Sequence, residues 1–311
     1  MRRIIIFEHD GGELANQLWT YASVWAYALE RGVMCENWSF FEYAHYFKNL
    51  LPDNALVRSI FFDSFKDFSG RRAAARPRFF RRLYKLAVAL PLRASRAALY
   101  SREGQGGLYL LPPSAPAPET LRELEKGKTL FVAQVSGGMF RNPAGMEKYR
   151  HQLVDMFAPS LRTAARAEAL LQPAHGTRAV GVHIRQGDYK VFKGGRYLIP
   201  HARVREIMEE YLRERSLSAA EVCFIICSDG LTDESAFAGL NVKVSKESAA
   251  VDLCALSRCE AILGSHSTFG NFAAWYGNIP HIVMQQGPID WPYYAGKARY
   301  FENKYFEIII R

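Results

Sequence analysis

Residues 179–190 read Ala-Val-Gly-Val-His-Ile-Arg-Gln-Gly-Asp-Tyr-Lys. The apolar run Ala179 to Val182 has the composition of a buried strand. It passes directly into His183, Arg185 and Asp188. Polar groups at the end of a core strand need a reason. In open α/β sheets, ligands bind beyond the carboxyl ends of the strands. A guanidinium there suits a phosphate, because its planar fork donates two parallel hydrogen bonds. The alternative is an Arg185–Asp188 ion pair that closes a turn.

The chain downstream alternates. A helix is predicted over 200–215, a strand from Val222 to Cys227, a short strand at Val242 to Val244 and a helix from Ala249 to Ser257. A strand at Ala261 to Gly264, a helix from Asn271 to Tyr276 and a strand from His281 to Met284 complete the series. Strands alternating with helices predict a parallel sheet covered on both faces. His183, Arg185, Asp188, Ser228, Asp229, Ser267 and Thr268 would then share one crevice past the strand ends. Ser265-His266-Ser267-Thr268 precedes a helix and would supply capping hydroxyls and N–H groups. With Arg185 opposite, that is a pyrophosphate site; Ser267-Thr268 taken alone is also an ordinary N-cap.

The first half opens on the same kind of unit. A strand from Arg3 to Phe7 is followed by Gly11-Gly12, then apolar residues at helical spacing from Leu18 to Arg31, stopped by Gly32. Such a turn lets backbone approach a ligand, though a diglycine alone is more often just a tight turn. Residues 34–69 are irregular and aromatic, and read as core or subunit contact, with an apolar acceptor channel as the alternative. Gly104 to Pro118 is loop-like, Thr129 to Val135 a strand, and Met146 to Leu171 helical with a break near Pro159. With 311 residues, about two domains are expected. The linker 173–176 places them at 1–175 and 176–311.

Composition narrows the class. The five cysteines are odd in number and mostly in apolar contexts, which predicts reduced, buried thiols in a cytosolic protein rather than disulfides or zinc ligands. No secretory signal or spanning segment is visible, so a soluble or peripheral protein is expected. The net charge of +9 is uneven. Residues 71–102 hold ten basic residues and no acidic one, and the remainder sums to −1. Phe79, Phe80, Leu83, Tyr84, Leu86, Val88 and Leu90 are interleaved with these cations. The pattern fits a basic amphipathic helix on an anionic membrane surface, or equally a solvated helix packed on its own domain. Nucleic acid is not expected as a partner, since no binding motif accompanies the charge.

The chain has no Asp-x-Asp pair, P-loop, Gly-x-Gly-x-x-Gly or Gly-x-Ser-x-Gly. A diphosphate held without metal needs cations and helix ends instead. Three motifs together resemble the α-1,2-fucosyltransferase family of the fucosyltransferase superfamily. They are Gly11-Gly12-Glu13-Leu14-Ala15-Asn16-Gln17-Leu18, His183-Ile184-Arg185-Gln186-Gly187-Asp188-Tyr189, and the block Asp252, Cys259, Ser267-Thr268-Phe269, Ala273-Ala274-Trp275. Residues 35–128 match nothing in that family.

The resemblance implies a GT-B architecture, with two Rossmann-like α/β domains facing across a cleft. The N-terminal domain would be on the acceptor side and the C-terminal domain would bind the donor. It implies an inverting, metal-independent transfer of L-fucose from GDP-fucose, with no cofactor, to a glycan or lipid-linked glycan hydroxyl. By the same resemblance Arg185 would bind the pyrophosphate and His183 would sit against the nucleotide. Asp252 would contact guanine or ribose, and Ser267, Thr268 and Phe269 would hold the β-phosphate. Gly11, Gly12 and Asn16 would approach the donor from the other domain. Asp229 is added to the donor set by its place at a strand end. The acceptor must lose a proton. Asp188 is the first base considered, with Glu13 and Asp10 as others, and orientation of Arg185 is the competing role for Asp188. Gln186 stands where the family has arginine, Glu13 and Ala15 replace leucine and glycine, His266 replaces asparagine, and Gly270-Asn271-Phe272 replaces Ser-Trp-Trp. These departures fall where sugar and acceptor would be recognised. They leave a different nucleotide-sugar donor, or a catalytically silent binding protein, as alternatives. The expected location is cytoplasmic, with the inner face of the membrane as a peripheral site.

Overall fold

The computed structural model describes residues 3–8, 13–65, 76–94, 98–102, 129–135, 142–174, 176–295 and 300–305. The chain forms two compact units, Met1–Ser160 and Leu161–Arg311. Asp10, Gly11 and Gly12 lie outside the described residues, as does the loop 104–118.

The second unit holds the stretch 179–190. Its sheet has strands β5 (Arg178–Ile184), β6 (Val222–Ser228), β7 (Val242–Val244), β8 (Ala261–Gly264) and β9 (His281–Val283). Their order is β7-β6-β5-β8-β9, and every pairing is parallel. Side chains alternate across the sheet. Val180, Val182, Ile184, Val222, Phe224 and Ile226 join a core with Val204, Ile207, Met208 and Tyr211 of helix His201–Glu214. Gly181 points the other way, against Leu256, Ile262 and Cys259. Helices thus cover both faces, which is why the inner strands β6 and β8 are almost wholly apolar. The five cysteines are unpaired and buried, Cys223 and Cys227 among them.

Register decides where the loops emerge. His183 is level with Cys227 on one side and Gly264 on the other, and Ile184 is level with Ser228. Arg185, Asp229 and Ser265 therefore leave three adjacent strands at one height. From β5 the chain steps outward to β6 and β7, then returns to the opposite side of β5 for β8 and β9. The order reverses between β5 and β8, which is where open α/β sheets leave a crevice for ligands.

Helix Leu161–Leu171 belongs to this unit, so the division falls at Ser160 and Leu161 and not in the turn at 173–176. The helix buries Thr163, Ala167, Leu170 and Leu171 and contacts helix Ala249–Leu256. That packing ties it to the second sheet and its helices. Helix Thr268–Gly277 begins three residues before the sequence pattern suggested, with Ser267 as its N-cap. Its last residue, Gly277, lies against the end of helix Ala249–Leu256, where a Cβ would meet the Ser257 carbonyl oxygen at 2.0 Å.

The first unit has strands β1 (Arg3–Glu8), β2 (Met34–Asn37), β3 (Ala98–Arg102) and β4 (Thr129–Val135) in the parallel order β2-β1-β4-β3. Strand β2 lies inside the stretch read as irregular, because its four residues, Met-Cys-Glu-Asn, show no alternation. Helix Leu14–Glu30 buries Trp19, Tyr21 and Tyr27. Tyr21 meets Phe40 and Phe157 edge-on at 5.9 and 5.5 Å, so the aromatic stretch builds core. The basic segment is helical over Arg76–Tyr84, Lys85–Ala89 and Leu90–Ala94. It packs inward through Tyr84, whose hydroxyl donates to the Phe7 carbonyl at 2.6 Å and whose ring meets Phe61 at 5.1 Å.

Candidate active site

Hydrogen bonds tie the three loops at the carboxyl end of the second sheet into one cluster. Ser265 N–H donates to the His183 carbonyl, and Arg185 N–H donates to Ser265 Oγ, both at 2.9 Å. These bonds link the ends of β5 and β8. Asp229 links β5 to β6. One of its oxygens accepts from the backbone N–H of Gln186 at 2.6 Å and of Gly187 at 3.3 Å. Its other oxygen accepts from Arg185 Nη1 at 2.9 Å.

Arg185 is the centre of the cluster. Its Nε donates to Asp188 at 2.9 Å while Nη1 engages Asp229. A guanidinium has five N–H groups, so two carboxylates fix its plane and leave three donors for a ligand. The guanidinium also lies 5.9 Å from the ring centre of Tyr189, within cation–π range. The Tyr189 hydroxyl donates to the His266 carbonyl, and burial pushes that phenol up to about 12. The ion pair between Arg185 and Asp188 is present, and together with Asp229 it braces the guanidinium at the strand end.

Across the crevice Ser267 caps helix Thr268–Gly277 by accepting from Phe269 N–H at 3.3 Å. Thr268 opens the helix half-buried. Helix N-termini carry partial positive charge and favour anions. Phe269 stacks on His183, with ring centres 4.9 Å apart. His183 is buried, and burial pushes its imidazole down to about 4. It is neutral at physiological pH. Among the described residues its Nδ1 has no hydrogen-bond partner. An unsatisfied buried polar atom calls for an explanation, and a ligand group at this strand end would supply one. His281 lies behind it, with burial pushing its imidazole down to about 3. Its ring fills the space that a Cβ on Gly264 would take, 2.3 Å from Nε2.

Asp252 sits in the first turn of helix Ala249–Leu256. Its carboxylate accepts from Ser245 Oγ and is bonded to Cys227, yet burial raises it to about 6. Gln186 turns toward the loop after β6 and the start of helix His201–Glu214. Its amide nitrogen lies 2.9 Å from His201 Nε2, and donates to the Leu231 carbonyl at 3.1 Å and Ser228 Oγ at 3.3 Å. A neutral, internally bonded side chain thus occupies the position of the family's second arginine.

Glu13 and Asn16 belong to the first unit. Glu13 precedes helix Leu14–Glu30, is exposed, and accepts from the Tyr43 hydroxyl at 3.2 Å. Asn16 lies half-buried in that helix's first turn. In the second unit the structure brings together His183, Arg185, Asp188, Asp229, Ser267, Thr268 and Phe269. Sequence reasoning gave no site role to Tyr189 or His281. His281 did leave a signal, an imidazole heading the apolar strand His281–Val283.

The two parallel α/β units have the GT-B fold. Fucosyltransferase NodZ from Bradyrhizobium superposes with a TM-score of 0.53 at 18% identity, covering 91% of this chain and 96% of that one. A variant of Arabidopsis thaliana FUT1 in complex with GDP gives a TM-score of 0.53 at 14% identity, covering 92% of this chain and 71% of that one. POFUT1 in complex with GDP gives 0.50 at 12% identity, covering 93% and 96%. These likenesses establish the fold. No protein-family model matches the chain, and no curated protein matches it either.

Proposed function

We propose that the chain is an inverting, metal-independent glycosyltransferase that moves L-fucose from GDP-fucose to a glycan or lipid-linked glycan hydroxyl. One observation carries this reading. Braced Arg185 and the N-terminus of helix Thr268–Gly277 face the same switch point, in a fold shared with solved structures that hold GDP.

Leaving-group departure puts negative charge on the β-phosphate while the sugar carbon becomes oxocarbenium-like. Arg185 and the positive N-terminal end of helix Thr268–Gly277 are aimed at that charge, fixed before reaction and so costing little reorganisation. Asp188 and Asp229 act as positioning residues for the guanidinium. His183, neutral and stacked on Phe269, sits against the nucleotide site. Asp252 binds guanine or ribose at the edge of the same sheet.

Gln186 favours a second reading, a different sugar on the same kind of donor. The loop has one cation fewer than the family pattern, and the amide is spent on Ser228, His201 and Leu231. Both readings are tested by incubating the chain with GDP-fucose, GDP-mannose and UDP-glucose, a glycan acceptor mixture and EDTA. GDP release from GDP-fucose that depends on acceptor, with an inverted linkage in the product, is the expected result. Turnover of another donor alone moves the assignment to the second reading. Turnover of none, in EDTA or with magnesium, ends both.

A further inference from the structure

The basic helical stretch has a second face that the fold does not use. Phe79, Leu83, Leu86 and Leu90 follow one another at steps of four, three and four, which places them on one side of a helix. All four are exposed, Phe79 at 62% and Leu86 at 66%. Tyr84 and Ala89 on the other side are buried and already anchor the stretch. The neighbouring helical turns Ala55–Val57 and Arg58–Phe62 repeat the arrangement. Phe61 packs inward on Tyr84, while Leu56 and Ile60 are exposed. Among the described residues, these six are the large exposed apolar side chains of the first unit. Such concentration marks an interaction surface rather than scattered exposure.

Charge identifies the occupant. Arg82 and Lys85 are exposed beside the stripe, Arg81 is paired with Glu42, and residues 71–102 contain no acidic side chain. A second copy docking here would set cations against cations. A nucleic acid would find phosphate contacts but no use for a row of leucines, since single strands stack on aromatic rings. An anionic bilayer uses both features: cations at the headgroups and apolar side chains in the acyl boundary. No helix among the described residues is long and apolar enough to cross a membrane, so the contact lies in the interface plane.

We propose that the outer face of residues 76–94, joined by Leu56 and Ile60, docks the protein on an anionic lipid surface. This stands independently of the donor assignment and survives its failure. The test is flotation of the full chain with vesicles of phosphatidylcholine alone and of phosphatidylcholine with one-third phosphatidylserine. The wild type should float with the anionic vesicles, remain below with the neutral ones, and be released by high salt. Replacing Arg82 and Lys85 with glutamine should weaken partitioning by about thirty-fold, at roughly five-fold per cation. Leu86→Glu, at an exposed position, should abolish flotation with an unchanged thermal melt. Absence of flotation, equal flotation with both vesicles, flotation indifferent to Leu86→Glu, or a dimer that Leu86→Glu dissociates would each overturn the proposal. The two wild-type arms decide the matter even if a variant fails to fold.

Discussion

Replacing Arg185 with alanine is expected to lower donor turnover by about 10²–10³-fold, the effect of deleting one preorganised donor to a developing oxyanion. The loss should appear in kcat as well as in nucleotide affinity. The guanidinium meets the ground-state diphosphate but gains strength as charge moves onto the leaving group. Arg185→Lys keeps the charge and loses the fork, together with one of the two carboxylate contacts that fix its plane, so it should restore only part of the rate. Folding should hardly change. Asp188 is well exposed, and Asp229 keeps its bonds from the Gln186 and Gly187 amides, so the loop stays braced. The stability cost is about 1 kcal/mol or less, as for other solvent-accessible ion pairs. Steady-state kinetics and a thermal melt on both variants check this. An alanine variant with the wild-type rate would remove Arg185 from the mechanism.

Acid is expected to destabilise the second unit through its buried imidazoles. Burial holds His183 at about 4 and His281 at about 3, against 6.5 for a free imidazole. Between those values and 6.5 the unfolded chain binds protons that the folded chain refuses, so stability falls as pH falls. Asp252 works in the opposite direction. Its folded value of about 6 lies above the free value of 3.8, so the folded state holds a proton the unfolded state has released. Two groups against one leave a net loss of about 1.4 kcal/mol per pH unit between pH 6 and 4, from these three side chains. Asp252→Asn removes the opposing group, and its slope should be about twice as steep over the same range. Urea unfolding at several pH values measures both slopes. A variant whose slope is unchanged or shallower would contradict the assignment.

The sheet and the polar cluster at its carboxyl end were legible because their signals are local. Val180, Val182 and Ile184 announce a strand, and the polar residues after it announce that the strand ends at something. Ser267 before an apolar helix is a local cap signal. The switch point was legible only as an expectation, since the order β7-β6-β5-β8-β9 depends on pairings between distant segments. Three features depend on contacts between distant segments. Helix Leu161–Leu171 is amphipathic whichever unit it joins, and only its contact with helix Ala249–Leu256 assigns it. Gln186 reads as an open substitution in a binding loop, yet the fold engages its amide with His201 and Leu231. The role of His281 depends on Gly264 and Gly270 leaving room for its ring. The basic helix was ambiguous for a physical reason: its sequence carries both an inner and an outer apolar face, and the fold consumes only the inner one.

The central claim is that a nucleoside diphosphate sits between Arg185 and the start of helix Thr268–Gly277. Its most direct test is a GDP titration of the ¹⁵N-labelled protein in EDTA, with backbone amide and arginine Nε–H signals as the readout. Saturable shifts at Thr268, Phe269, Ser265 and the Arg185 side chain, lost in Arg185→Ala, are the predicted result. Shifts confined to other regions, or binding that requires a divalent metal, would contradict it.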